Sequence, residues 1–106
     1  MTKYKLADIA EVIRSKNSGP FELTFDIIFK EYEMFEQVAK AGVINEESFA
    51  TLYNIAKESI TKITKYPPAK AIKITIVRPI SSGALGESDV YGAQQHVPLL
   101  GFEFFM

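Results

Sequence analysis

The stretch Phe21-Glu22-Leu23-Thr24-Phe25-Asp26-Ile27-Ile28-Phe29 decides the fold. Phe21, Leu23, Phe25, Ile27 and Phe29 fall on one side of a period-two repeat, and Glu22, Thr24, Asp26 and Ile28 fall on the other. Successive side chains of a strand point to opposite faces, so the run predicts a half-buried β-strand with one strongly apolar face. That face needs a covering layer. On this reading Asp26 is a solvent-facing strand residue.

Upstream, Ser15-Lys16-Asn17-Ser18-Gly19-Pro20 reads as a loop punctuated by Gly-Pro. Before it, the β-branched residues of Ile9 to Ile13 predict a strand that follows a short turn at Leu6 to Asp8, with Asp8 as a local cap. Downstream the period changes. Tyr32, Phe35 and Ala39 share a helical stripe widened by Met34, Val38 and Val43, while Glu31, Glu33, Glu36 and Lys40 face water. Gly42 stands where a helix C-cap glycine belongs. Asn45 reads as the N-cap of a second helix, with Glu46 and Glu47 near its positive end. That helix carries Phe49, Leu52 and Tyr53 and frays over Asn54 to Lys57.

The period of Ile60 to Tyr66 suits either element; its threonines and isoleucines favour a strand, and Pro67-Pro68 stops whichever forms. Ala71 to Val77 alternates as a strand that ends at Arg78-Pro79, and the Ser- and Gly-containing run Ser81 to Asp89 reads as a loop. Leu99 to Phe105 supplies the last strand, with Leu100, Phe102 and Phe104 opposing Leu99, Gly101, Glu103 and Phe105. The order β-β-α-α-β-β-β spans a single domain, residues 1–106. Two central helices can cover one side of a single sheet. The expected fold is therefore a two-layer α+β sandwich with a mixed or antiparallel sheet, ferredoxin-like in the broad sense. The other sheet face would carry Thr24, Ile28, Lys73 and Thr75, a mixed surface suited to docking a partner or a second copy.

Composition narrows the function classes. A chain of 106 residues should bury roughly 65% of its unfolded surface, enough for one core. A net charge of −1 leaves no electrostatic footprint for nucleic acid or an anionic membrane. No apolar run approaches the ~20 residues of a spanning helix, and the absence of cysteine excludes disulfides and thiol chemistry. The expected address is the cytoplasm. One histidine and scattered carboxylates supply no metal-ligand spacing, and no cofactor is expected. Eight Phe and five Tyr are rich for this length and hint at an aromatic sheet face or subunit interface.

Two runs carry chemistry. Arg14-Ser15-Lys16-Asn17 offers guanidinium, hydroxyl, ammonium and amide groups just past a strand, a set that could hold a carboxylate or phosphate. A polar turn with Arg14 and Lys16 in water accounts for the same residues. Asp89-Val90-Tyr91-Gly92-Ala93-Gln94-Gln95-His96 holds the only histidine and, in Gln94 and Gln95, adjacent amides. His96 has the pKa range of a general acid or base at neutral pH; the alternative is a structural histidine bonded to a backbone carbonyl. Tyr91, Gln94 and Gln95 could contact a ligand or close the loop. A site shared by the two runs requires Arg14 and His96 to face one small volume.

Taken together, Leu6-Ala7-Asp8-Ile9-Ala10, Ile13 to Asn17, Gly19 to Asp26, Ala71 to Thr75, Arg78-Pro79 and the Tyr91-Gly92-Ala93-Gln94-Gln95-His96 run resemble a family of roughly hundred-residue bacterial proteins known as a domain of unknown function. More distantly, the chain resembles the small ferredoxin-fold domain at the C-terminus of AtuA-like (acyclic terpene utilisation) proteins. The landmarks are Leu6-Ala7-Asp8-Ile9-Ala10 with Arg14-Ser15, and Tyr91 with Pro98-Leu99. The Gly-Asp-Lys-Gly that follows Arg-Ser in that domain is replaced here by Lys16-Asn17-Ser18-Gly19.

The resemblance implies a small subunit that works beside a larger AtuA-like protein in the catabolism of branched or unsaturated carboxylic acids or acyl-CoA. It permits a hydratase-type reaction on a small dicarboxylate. His96 would then be the catalytic group, and Arg14, Ser15, Lys16, Asn17, Tyr91, Gln94 and Gln95 the substrate-binding set. The competing reading is a non-catalytic assembly or stabilising module that docks a partner, or a second copy in a homo-oligomer, through its sheet. A stand-alone enzyme is disfavoured because it would need a cleft of several hundred cubic ångströms, rare in so short a two-layer domain.

Overall fold

The period-two run at the centre of the chain forms the middle of an antiparallel sheet. The computed structural model describes residues 1–19, 21–77 and 97–106. Among them, β1 (Lys3–Lys5) leads into a single helical turn α1 (Leu6–Ile9) and then β2 (Ala10–Gly19). β3 (Glu22–Phe29) follows, then α2 (Tyr32–Ala41), α3 (Glu46–Tyr53), β4 (Ile60–Tyr66) and β5 (Ala71–Val77). After the segment outside the described residues come a short helix α4 (Val97–Leu100) and β6 (Glu103–Phe105). The four-stranded sheet has the order β2-β3-β5-β4, and every neighbour pair is antiparallel. The helices α2 and α3 lie between β3 and β4 in sequence and cover one face, giving a two-layer α+β sandwich.

The core follows from the alternation. Leu23, Phe25, Ile27 and Phe29 of β3, and Ile72, Ile74 and Ile76 of β5, are all buried on the helix-covered face. Phe25 is the hub. Its ring meets Phe49 at 5.0 Å and Tyr53 at 5.1 Å between centroids, both edge-on, and Phe49 stacks on Tyr53 at 4.5 Å. Edge-to-face and offset-stacked rings add about 0.5–1.5 kcal/mol per pair beyond the area they bury. Phe29 and Phe35 join β3 to α2 in the same way.

The helix signals are realised. Gly42 ends α2 with φ 67°, a left-handed conformation open to glycine without steric cost. Asn45 caps α3 by accepting from the Ser48 backbone N–H at 2.8 Å, and the Asn45 backbone N–H donates to Ser48 Oγ at 3.0 Å, a reciprocal capping box. The Pro67-Pro68 pair makes a tight turn through Ala69, and Lys70 takes a φ of 54° to restart the chain as β5.

Three expectations are corrected. Ser15 to Gly19 is not a loop: β2 runs through to Gly19, paired with β3 from Ala10↔Phe29 to Gly19↔Glu22. The polar side chains there reflect a strand with one face away from the core, and a bulge between Asn17 and Gly19 absorbs the irregularity. Second, Leu99 to Phe105 is not one strand. Leu99 is buried within α4, Leu100 is exposed, and only Glu103–Phe105 is extended. Proline is well tolerated in a first helical turn, which is where Pro98 sits.

Third, the terminal strands leave the main sheet. The N-terminal residues form β1, which pairs with β6 as a separate ribbon. The pairing is extended by Thr2 and Met106, which exchange backbone hydrogen bonds at 2.8 and 3.0 Å. Leu6 and Leu99 anchor the ribbon from below, and the Leu6 N–H donates to the Phe102 carbonyl at 2.9 Å.

Replacing Phe25 with Ala should cost about 3–5 kcal/mol in urea denaturation, and Asn45→Ala about 1 kcal/mol. Burial pushes the Tyr53 phenol well above its ordinary value, outweighing the opposite pull of a hydrogen bond with the Leu99 backbone. Because the folded state holds that proton more tightly, Tyr53 stabilises the fold below the ordinary phenol value and loses this contribution as pH rises beyond it. Tyr53→Phe should therefore flatten the alkaline limb of stability measured against pH.

Candidate functional site

The face of the sheet turned away from α2 and α3 is ruled into rows by register. One row reads Arg14, Asp26, Lys73, Thr64 across β2, β3, β5 and β4. The row on one side is Lys16, Thr24, Thr75, Lys62; on the other side lie Val12, Ile28, Ala71 and Tyr66. Neighbouring strands stand about 4.8 Å apart, so each row is a line of touching side chains.

Asp26 sits at the centre of the first row between two cations. Arg14 Nε donates to Asp26 Oδ2 at 3.1 Å, and Lys73 Nζ lies 3.9 Å from Oδ1. The side-chain exposures are unequal: 12% for Asp26, 62% for Arg14 and 44% for Lys73. The carboxylate is thus at the bottom and the cations stand over it. A carboxylate this deep would be costly alone, and the paired cations offset that cost. The bond to Asp26 orients the guanidinium while engaging one of its five N–H donors. Lys73 also lies 5.6 Å from the centroid of the Tyr66 ring, within cation–π range.

These groups edge a hollow of about 340 Å³. Among the described residues its polar end is Arg14, Asp26 and Lys73 and its floor is Ile28 and Ala71, with Tyr66 and Ala69, at the Pro67-Pro68 turn, as a wall. This lies within the size range of small-molecule sites, about 300–1,000 Å³, in a two-layer domain whose length argued against such a cleft. A cationic end over an apolar floor suits an organic anion.

The sequence-derived set divides accordingly. Arg14 and Lys16 are exposed on the outer face, but Ser15 pairs with Phe25 and Asn17 with Leu23, on the core side. Strand parity therefore separates residues that a loop would have let converge. Tyr91, Gln94, Gln95 and His96 lie outside the described residues. Asp26 is not solvent-facing in effect, since two cations cover it. Asp26, Lys73 and Tyr66 were missed as site residues because cross-strand register is not written in the sequence. The available signal was opposite charge at the non-apolar positions of two alternating strands, Asp26 in one and Lys73 in the other. Among the described residues no group of three or more His, Cys, Asp or Glu side chains is arranged to hold a metal ion, and no helix is long and apolar enough to cross a membrane.

A family model described as Domain of unknown function (DUF4387) matches residues 6–103. The chain belongs to that family. The DUF4387 match extends from α1 into β6 and includes every described residue that lines the outer-face hollow. No curated protein and no solved structure matches the chain.

A double-mutant cycle on Arg14→Ala and Asp26→Ala should give a coupling energy of about 1 kcal/mol that shrinks in high salt, because the guanidinium is largely exposed. Denaturation curves of the four proteins at low and high ionic strength measure it.

Proposed function

We propose that the chain is a small accessory subunit that holds the carboxylate of a small organic acid at the outer-face hollow. It works beside a larger AtuA-like protein in the breakdown of branched or unsaturated carboxylic acids or their CoA thioesters, with hydratase-type addition of water as the reaction class. The observation that carries this reading is the pair Arg14 and Lys73, fixed by Asp26 at the rim of an apolar floor. Arg presents a planar fork that matches a carboxylate, and charge-assisted hydrogen bonds are roughly twice as strong as neutral ones. Among the described residues nothing closes the hollow on its outer side, so a ligand held by them stays wet until a second surface covers it. That is the argument for a larger partner. The family resemblance carried by Leu6 to Ala10, Arg14-Ser15, Tyr91 and Pro98-Leu99 supplies the partner's class.

One observation favours the assembly-module reading as well. Tyr66 and Val77 are large exposed apolar side chains on the outer-face side of their strands, at opposite ends of the sheet, and Phe21 next to the Glu22↔Val77 pair in sequence is exposed too. Such residues suit a docked protein, and the two roles share one face.

Arg14→Ala should weaken carboxylate binding about tenfold, the loss expected for one charge-assisted hydrogen-bonding group. Titration of the purified chain with short-chain acids measures this. In the complex with the large subunit, Arg14→Ala and His96→Ala should both lower turnover. Undiminished turnover in both variants would remove the catalytic reading, and a Val77→Asp chain that no longer co-purifies would then support docking alone.

A further inference from the structure

The outer-face hollow is electrically lopsided, and this restricts what it can hold. Its cations, Arg14 and Lys73, stand at one end with Asp26 between them. Beyond them the described lining is Ile28, Ala69 and Ala71, with the Tyr66 ring at the side, 5.6 Å from the Lys73 ammonium; among the described residues this part carries no charged side chain. Lys70, the cation next in sequence to that end, has its ammonium hydrogen-bonded to the Lys30 carbonyl at 3.2 Å. Lys16 and Lys62 belong to the row on the other side of Asp26, about 7 Å along the strands and away from the apolar end.

Resting on the carboxylate-binding reading, and departing from the small dicarboxylate that the family resemblance permits, we infer that this hollow selects acids with a single carboxylate and a short hydrocarbon tail, and discriminates against dicarboxylates. The head group docks on Arg14 and Lys73. The tail lies along Ile28 and Ala71 toward the diproline turn. A second carboxylate at the far end of a five-carbon acid would be set over Ile28 and Ala71 with no cation among the described residues and the neutral Tyr66 hydroxyl as the side-chain donor nearby, which leaves much of its desolvation uncompensated. Charge balance points the same way: two cations and one carboxylate leave one net positive charge, which one carboxylate neutralises.

The test titrates the full chain with 3-methylbutanoate and with 2-methylbutanedioate, acids of equal carbon number, while backbone amide shifts report the site. The monocarboxylate should bind at least about fivefold more tightly, with shifts at Arg14, Ala69 and Lys73. A second protein, Ala69→Lys, places a cation at the apolar end on an exposed turn and should raise dicarboxylate affinity to that of the monocarboxylate. Equal or tighter dicarboxylate binding by the unaltered chain, with shifts at the same residues, would overturn the selectivity and leave carboxylate binding standing. An unchanged preference in Ala69→Lys would overturn it too. If neither acid shifts these residues, the carboxylate reading itself is sunk, and the selectivity with it.

Discussion

The pleat of β3 places Phe25 and Asp26 one bond apart in sequence and on opposite sides of the sheet. Every other feature is arranged around that division. On one side the Phe25 ring gathers Phe49 and Tyr53 and so fixes α3 against the sheet. On the other, Asp26 gathers Arg14 from β2 and Lys73 from β5. Because both sets hang from the same rigid strand, the polar trio is held by the hydrophobic core behind it rather than by its own weak surface attractions. A one-residue slip of β3 would exchange the two faces and destroy both.

The energetics of the trio differ from those of an ordinary surface ion pair. Exposed pairs are worth little, since water screens them and long side chains lose rotamer freedom. Here the carboxylate is largely withdrawn from solvent while its cations are not. The arrangement turns Asp26 into an anchor that limits where the Arg14 and Lys73 heads can go. Preorganised cations bind an incoming anion with less ordering cost than free ones.

Much of the fold is legible because it depends on local pattern. The alternation of β3 and β5, the stripe of α2, Gly42 and the Asn45 cap all follow from short-range rules, and each forms where those rules place it. What was not legible depends on pairing between distant segments. Lys3-Tyr4-Lys5 carries no strand signature by itself; it is extended because β6 offers it a partner. Ser15 to Gly19 has turn-like composition, yet the neighbouring β3 holds it in a ladder. The candidate site was half legible for the same reason. Arg14 and Lys16 stand out as cations, whereas their alignment with Asp26 and Lys73 is a property of register.

The clasp between β1 and β6 has a mechanical consequence. The strands are antiparallel, and Thr2 and Met106 meet at the same end of the ribbon. Tension applied through residues 1 and 106 would load the Thr2–Met106 pair first and then the pairs behind it in turn, as a zipper opens. The ribbon would peel at low force while the four-stranded sheet, with its own separate ladder, stayed whole.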